Sequence, residues 1–316
     1  FYYSAYDAPE KGKEFSSKNE VHKVYYHKIG TPQSQDVLFY QNPAYPLRFY
    51  SVSINDEETI MFLYESGAGS GQNVYVRDLR VPNAQFIQMT SNLDMQYNPI
   101  GTIGDNIYML TNDGAPRGRV MVANIHKPGF KDWKELVPES KHMLDNVEFA
   151  DDKMVLTYNQ DASTHLYLYT IDGKEITEIK LPTVGRAGFS SERGQKECFY
   201  SFSSFTVPST IYQYDIAQNK STLYTAPKVK FDLNKYTTQQ VFFTSKDGTR
   251  VPMFLTYKKD MKRNGKNPVF LYGYGGFNVA LPPSFSSMRI PFLENGGIYV
   301  QVNLRGGSEY GEEWHV

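Results

Sequence analysis

Two glycine-rich runs near the end of the chain hold the residues best placed for chemistry. The first is Val269-Phe270-Leu271-Tyr272-Gly273-Tyr274-Gly275-Gly276-Phe277. The second runs from Ile298-Tyr299-Val300-Gln301-Val302-Asn303 through Leu304-Arg305-Gly306-Gly307-Ser308-Glu309-Tyr310-Gly311. Each opens as a short β-branched or aromatic segment and is stopped by glycine, the pattern of a buried parallel strand. Glycine directly after a strand lets the backbone approach a ligand and turns its N–H groups outward. Such donors are what a developing oxyanion needs. Between the runs, Phe285 to Asn295 predicts a short helix with Ser284 as N-cap and Gly296 just past its end. Pro291 would weaken or kink it. Strand, helix, strand over this length is a crossover unit, so a parallel sheet begins here.

LYGYGGFN (271–278) and NLRGGSEYGEEWH (303–315), with TSKDGTRVPMF (244–254) upstream, resemble the start of the catalytic domain of the prolyl oligopeptidase family. These are serine peptidases of the α/β-hydrolase fold that cut short peptides after proline. The resemblance implies roles for two residues. Tyr274 corresponds to the tyrosine whose hydroxyl stabilises the oxyanion, and Phe277 to the phenylalanine lining the proline pocket. Tyr272 is read as packing. Asn303, Arg305 and Glu309 lie in a loop near the site and receive no individual role. The resemblance further implies a seven-bladed β-propeller set over the site, restricting entry to short peptides, and catalysis with no cofactor and no metal.

A serine hydrolase needs a nucleophile, a base, an orienting acid and oxyanion donors. No G-x-S-x-G nucleophile elbow occurs in the chain. Ser308 lacks the final glycine of that motif, and Ser70, in a Gly-Ser-Gly loop, reads as a turn residue. In the family the nucleophile follows the Arg-Gly-Gly motif by several dozen residues, with the acid and base later still. The triad is therefore expected beyond Val316, and the chain alone is expected to be inactive. His22, His27, His126, His142, His165 and His315 are read as surface or hydrogen-bonded structural residues, and none forms a metal-ligand spacing. Gly276-Phe277 and Glu309-Tyr310-Gly311 favour the proline-specific branch over the related oligopeptidase that cuts after basic residues. A non-catalytic propeller binding module stays open, because the residues that decide lie beyond Val316. The expected partners are short proline-containing peptides and the missing remainder of the peptidase domain.

The elements that position these loops follow a repeat. A hexamer of alternating apolar residues ending in Ile or Leu recurs at Val24–Ile29, Val74–Leu79, Val120–Ile125, Leu166–Ile171 and Ile211–Ile216, at spacings of 50, 46, 46 and 45 residues. Each copy lies among other strand-like segments separated by turn signals such as Asn112-Asp113-Gly114. Four short strands in each period of this length describe a propeller blade. Four full blades are expected near 48–91, 95–138, 144–182 and 186–227, with most of another in 1–41. The repeat makes the fold class mainly β, with four to five blades present; the resemblance makes this a partial seven-bladed propeller followed by the beginning of an α/β-hydrolase domain. The boundary is placed between 1–232 and 233–316. After a linker at Lys228 to Tyr236, Asp247-Gly248 marks a hairpin that leads into the parallel strands. Lys258 to Asn267, with five basic residues, reads as a solvated loop.

Composition narrows the rest. Lys+Arg 33 against Asp+Glu 34 leaves a formal charge of -1, which speaks for no nucleic-acid and no acidic-membrane partner. No apolar run approaches a membrane span in length. The 25 Tyr and 20 Phe favour strands. Cys198 is the only cysteine, so no intrachain disulfide can form and a soluble protein of cytoplasm or periplasm fits equally. The first residues read as the middle of a strand, with no initiator Met or signal peptide in view, and the chain is expected to be cut at both ends.

Overall fold

The computed structural model describes residues 1–315. Five antiparallel meanders follow one another, each with its strands in chain order. The first has three strands, Tyr2–Ala5, Lys23–Tyr26 and Val37–Gln41. The second is Phe49–Ile54, Ile60–Ser66, Gln72–Asp78 and Ile87–Gln88; the third is Tyr97–Ile103, Asn106–Thr111, Arg119–Asn124 and Lys134–Val137. The fourth is Met143–Ala150, Lys153–Gln160, Ser163–Thr170 and Glu175–Ile179; the fifth is Arg186–Ser190, Cys198–Ser203, Thr210–Asp215 and Lys220–Thr225. In each four-stranded meander the hexamer repeat falls on the third strand. The period in the sequence is therefore the period of the blades.

The second sheet is covered on both faces, and the pleat divides one of its strands between two cores. Ile60 and Phe62 pack with Tyr97, Ile107 and Met109 of the third sheet. Leu63, on the opposite face, packs with Val24 and Tyr50 toward the first. Near-continuous apolar runs such as Ile60-Met61-Phe62-Leu63 follow from that double burial. The fourth and fifth sheets share a further core, where Val155, Leu166 and Leu168 meet Phe189, Tyr200 and Phe202.

The chain divides into two compact units. One holds the first three sheets, as Phe1–Ala115 with Arg119–Pro138; the other is Pro116–Gly118 with Glu139–Val316. Within the second unit lies a mixed sheet with the spatial order Tyr236–Thr244, Arg250–Lys258, Ile298–Asn303, Val269–Tyr274. Its first two strands form the hairpin expected around Asp247-Gly248, with Gly248 at φ 88°. Its last two are parallel, with Tyr274 in register with Asn303.

Two expectations need correction. Ile298–Asn303 is buried, but Val269–Tyr274 is exposed along its whole length. It forms the edge of the sheet and pairs on one side only among the described residues, so its apolar sequence is not matched by burial. The helix is also shorter than Phe285 to Asn295. A 3-10 turn at Ser287–Arg289 leads into an α-helix at Ile290–Glu294. Ser284 is not its cap; its carbonyl accepts from Arg289 at 2.6 Å. Pro291 falls in the first helical turn, where a missing N–H costs nothing, so it starts the helix instead of kinking it. Gly296 ends it at φ 82°, as expected.

The mixed sheet is seated on turns of the fourth and fifth meanders. Asp161 and Ala162 make a two-residue hairpin turn, both with positive φ, although neither is glycine. Ala162 is buried with Phe205, Phe254, Leu293 and Tyr299, so its methyl group fills space that glycine would leave empty. No helix among the described residues is long and apolar enough to cross a membrane.

Candidate active site

The two glycine runs lie side by side at the carboxyl ends of the parallel strands, the usual place for a site in an α/β sheet. They touch backbone to backbone. A Cβ on Gly275 would lie 2.3 Å from the Arg305 carbonyl oxygen, and one on Gly306 would lie 2.6 Å from the Gly275 carbonyl oxygen. Gly306 also has φ 98°. Only glycine satisfies both positions. The Asn278 N–H donates to the Gly306 carbonyl at 3.0 Å, tying the first loop to the second.

Tyr274 ends its strand 39% exposed, and its hydroxyl bonds no group among the described residues. Phe277 is 87% exposed. It and Asn278 stand at φ 54° and 57°, a left-handed pair without glycine. For a bulky residue that backbone is an outlier, of the kind that clusters at ligand clamps. An unengaged phenol and a bare phenyl face, three residues apart, can donate to an anionic oxygen and offer a flat apolar wall. Tyr272, read as packing, is 42% exposed. It lines a cavity of about 700 Å³ with Phe270, Phe292, Tyr299 and Arg289, which does not include Tyr274 or Phe277 among its walls. The Arg289 guanidinium lies over the Tyr299 ring at 4.4 Å, and burial lowers its proton affinity.

The second loop is held by side chains that its motif does not foretell. Arg305 pairs with Asp247 and reaches Thr249 Oγ1 and Ser245 Oγ at 3.4 Å, which anchors the loop to the hairpin turn. The Thr249 backbone N–H, then Arg305, pull the Asp247 carboxyl down to about 2. Tyr310 donates to the Asp161 carboxylate at 2.7 Å and packs on Trp314 at 4.7 Å between ring centroids. Burial, then that carboxylate, raise the Tyr310 pKa above the ordinary phenol value. The Asp161 carbonyl also accepts from Gln240. Glu309 is 1% exposed, and its Oε1 accepts from the Leu281 N–H and from Asn303 Nδ2, each at 3.0 Å. An E/Y pair between glycines was the only sequence signal for these contacts, and it does not say which partner each side chain takes.

His22, His27, His165 and His315 take structural partners. His315 Nδ1 donates to the Gly306 carbonyl at 2.9 Å. His22 accepts from the Tyr50 N–H at 2.9 Å, and His27 and His165 pair with Asp36 and Glu178 at 2.6 and 2.8 Å.

The chain resembles known proteins along its whole length. Residues 1–227 match the family model described as prolyl oligopeptidase, N-terminal beta-propeller domain, and residues 283–316 match the prolyl oligopeptidase family model. The prolyl endopeptidase of Elizabethkingia meningoseptica is 39% identical over 316 residues, covering 100% of this chain and 44% of the relative. A dual function macrocyclase-peptidase of Galerina marginata is 31% identical over 329 residues, with 100% and 44% covered. A structure from a study of inter-domain dynamics in two prolyl endopeptidases superposes with a TM-score of 0.89 at 34% identity, covering 100% of this chain and 46% of that one. Prolyl oligopeptidase B of Galerina marginata, bound to a 35mer substrate, gives 0.90 at 28%, with 100% and 45% covered. The chain thus spans less than half the length of these relatives.

Proposed function

The chain belongs to the prolyl oligopeptidase family, and from that premise we propose that it forms part of a serine endopeptidase cutting short peptides on the carboxyl side of proline. Residues 1–232 are then part of the propeller that restricts substrate size, and residues 233–316 open the α/β-hydrolase peptidase domain. The remainder of that domain supplies the nucleophile, acid and base, and its next strand takes the open edge of Val269–Tyr274.

In this reading Tyr274 donates its O–H to the scissile carbonyl oxygen as that oxygen gains negative charge. A fixed donor counts for more in that state than in the ground state. The Phe277 ring forms one wall for the proline side chain. One observation carries the reading: a chain 39% identical to a prolyl endopeptidase over its whole length presents an unengaged Tyr274 hydroxyl and an exposed Phe277 on one turn, at the carboxyl end of a parallel strand.

The test is steady-state cleavage by the full-length enzyme of chromogenic peptides with proline, alanine or arginine before the scissile bond. Proline is expected to be preferred, and Phe277→Ala to erode that preference by a few kcal/mol at most, on the order of 10–200-fold. Faster cleavage after arginine, or a Phe277→Ala enzyme with undiminished preference, refutes the assignment. The 316-residue chain by itself is expected to hydrolyse none of the three.

A further inference from the structure

Glutamate is almost never fully buried unless it is paired, yet Glu309 is buried with no cation in contact among the described residues. Its two donors meet at one oxygen, and Oε2 is buried with no hydrogen-bond partner among the described residues. Oε1 accepts from the Leu281 N–H and from Asn303 Nδ2. Asn303, also buried, donates the same Nδ2 to the Leu281 carbonyl at 2.7 Å, and Gln301 Nε2 donates there at 2.9 Å. Both groups facing Nδ2 are acceptors, so the chemistry itself orients the Asn303 amide. Both backbone polar groups of Leu281 are therefore held by side chains.

Leu281 closes the turn that Tyr274 opens, and the left-handed Phe277 and Asn278 lie between them. Asn303 stands in register with Tyr274, so the same residue serves both ends of the turn. A left-handed Phe is costly and persists only where its surroundings hold it on both sides. Among the described residues the 87% exposed Phe277 ring has little packing of its own to do this. The Val279 N–H to Gly276 carbonyl bond closes the turn at 3.1 Å, and the Asn278 to Gly306 bond and the Leu281 clamp fix its two sides to the sheet. The Glu309 carboxylate is the acceptor of that clamp. Gly307 leaves room for it: a Cβ there would lie 2.3 Å from Glu309 Oε2.

We propose that Glu309 is a positioning residue that holds Phe277 in its left-handed turn, through Leu281 and Asn303, and so sets the enzyme's selectivity for proline. The selectivity part rests on the pocket role given to Phe277 above; the positioning part does not.

The experiment uses the full-length enzyme with 4-fluorophenylalanine incorporated at position 277 alone. It reads the fluorine resonance together with kcat and KM on proline and alanine substrates. Glu309→Gln keeps the Oε1 acceptor, and should keep a single resonance and a proline-to-alanine ratio within about threefold of wild type. Glu309→Asp withdraws the carboxylate by one methylene, and Glu309→Ala removes it. Each should shift or split the resonance and lower the ratio about tenfold or more, chiefly through KM for proline. If Glu309→Ala does not fold, Glu309→Asp decides. An unchanged resonance and ratio in folded Glu309→Asp overturns the proposal, as does a Glu309→Gln enzyme as impaired as Glu309→Asp. A wild-type enzyme with no proline preference refutes the pocket assignment instead, and the fluorine comparison then decides the positioning role by itself.

Discussion

Gly275→Ala should damage the full-length enzyme far more than Gly276→Ala, although the two glycines are neighbours. The added methyl at 275 would lie 2.3 Å from the Arg305 carbonyl oxygen and 2.7 Å from Leu304 Cβ. Ordinary contact needs about 3.5 Å, so the two loops must part by about 1 Å. Nothing flexible is available to yield, since the nearest atom is backbone. Overpacking of this kind costs about 1–3 kcal/mol of stability. The larger effect falls on activity, because Tyr274 and Phe277 sit on the displaced segment. A misplacement of about 1 Å near reacting groups is worth up to about 10²-fold in rate. At Gly276, by contrast, an added Cβ meets nothing within 4 Å and the backbone is not left-handed. Gly276→Ala should therefore stay within about 0.5 kcal/mol of wild type. Thermal unfolding and steady-state kinetics on a proline chromogenic substrate measure both quantities. The reasoning fails if Gly275→Ala keeps wild-type activity, or if the two variants are equally impaired.

Tyr274→Phe keeps the ring and breaks no bond within the described residues, so stability should hold while kcat falls roughly 10²–10³-fold. KM should change little, and Tyr272→Phe should be nearly silent; equal losses in both would make Tyr274 structural. Tyr310→Phe removes a hydrogen bond to the Asp161 carboxylate and should cost about 1–3 kcal/mol in chemical denaturation. Asp161→Asn keeps an acceptor and should cost less, and the reverse order would refute the assignment. Asp247, with a folded pKa of about 2 against an unfolded 3.8, contributes stability that is fully present above 3.8 and lost as pH falls through 2. The melting-temperature gap between wild type and Asp247→Asn should therefore be constant above about pH 5 and close toward pH 2. A gap that widens on acidification contradicts the Thr249 and Arg305 contacts as its source.

The blades were legible because their cause is local. Alternation with period two, a turn residue at each reversal and a hexamer returning every 45–50 residues mark the third strand of each four-stranded meander without knowledge of any partner. The two glycine runs were legible for a similar reason: a strand stopped by glycine is written in adjacent residues. The helix start was misread because Ser284 and Pro291 each have two uses. Which use applies depends on where the chain enters the sheet, and that placed Pro291 in the first turn. Val269–Tyr274 has the sequence of a buried strand, but burial requires a neighbour on each side, and its composition cannot supply one.

What only the tertiary structure decided is the set of partners that hold the loops. Glu309 meets Leu281 across 28 residues, Arg305 meets Ser245 across 60, and Tyr310 meets Asp161 across 149. None of these pairs shares a period, a motif or a spacing. A carboxylate, a guanidinium and a phenol are each most often solvated, and the same residue types would be written in the sequence whether exposed or clamped. Only the close approach of Gly275 to Gly306, permitted by two absent side chains, brings the loops near enough for Asn278 to reach Gly306 and for Glu309 to reach Leu281.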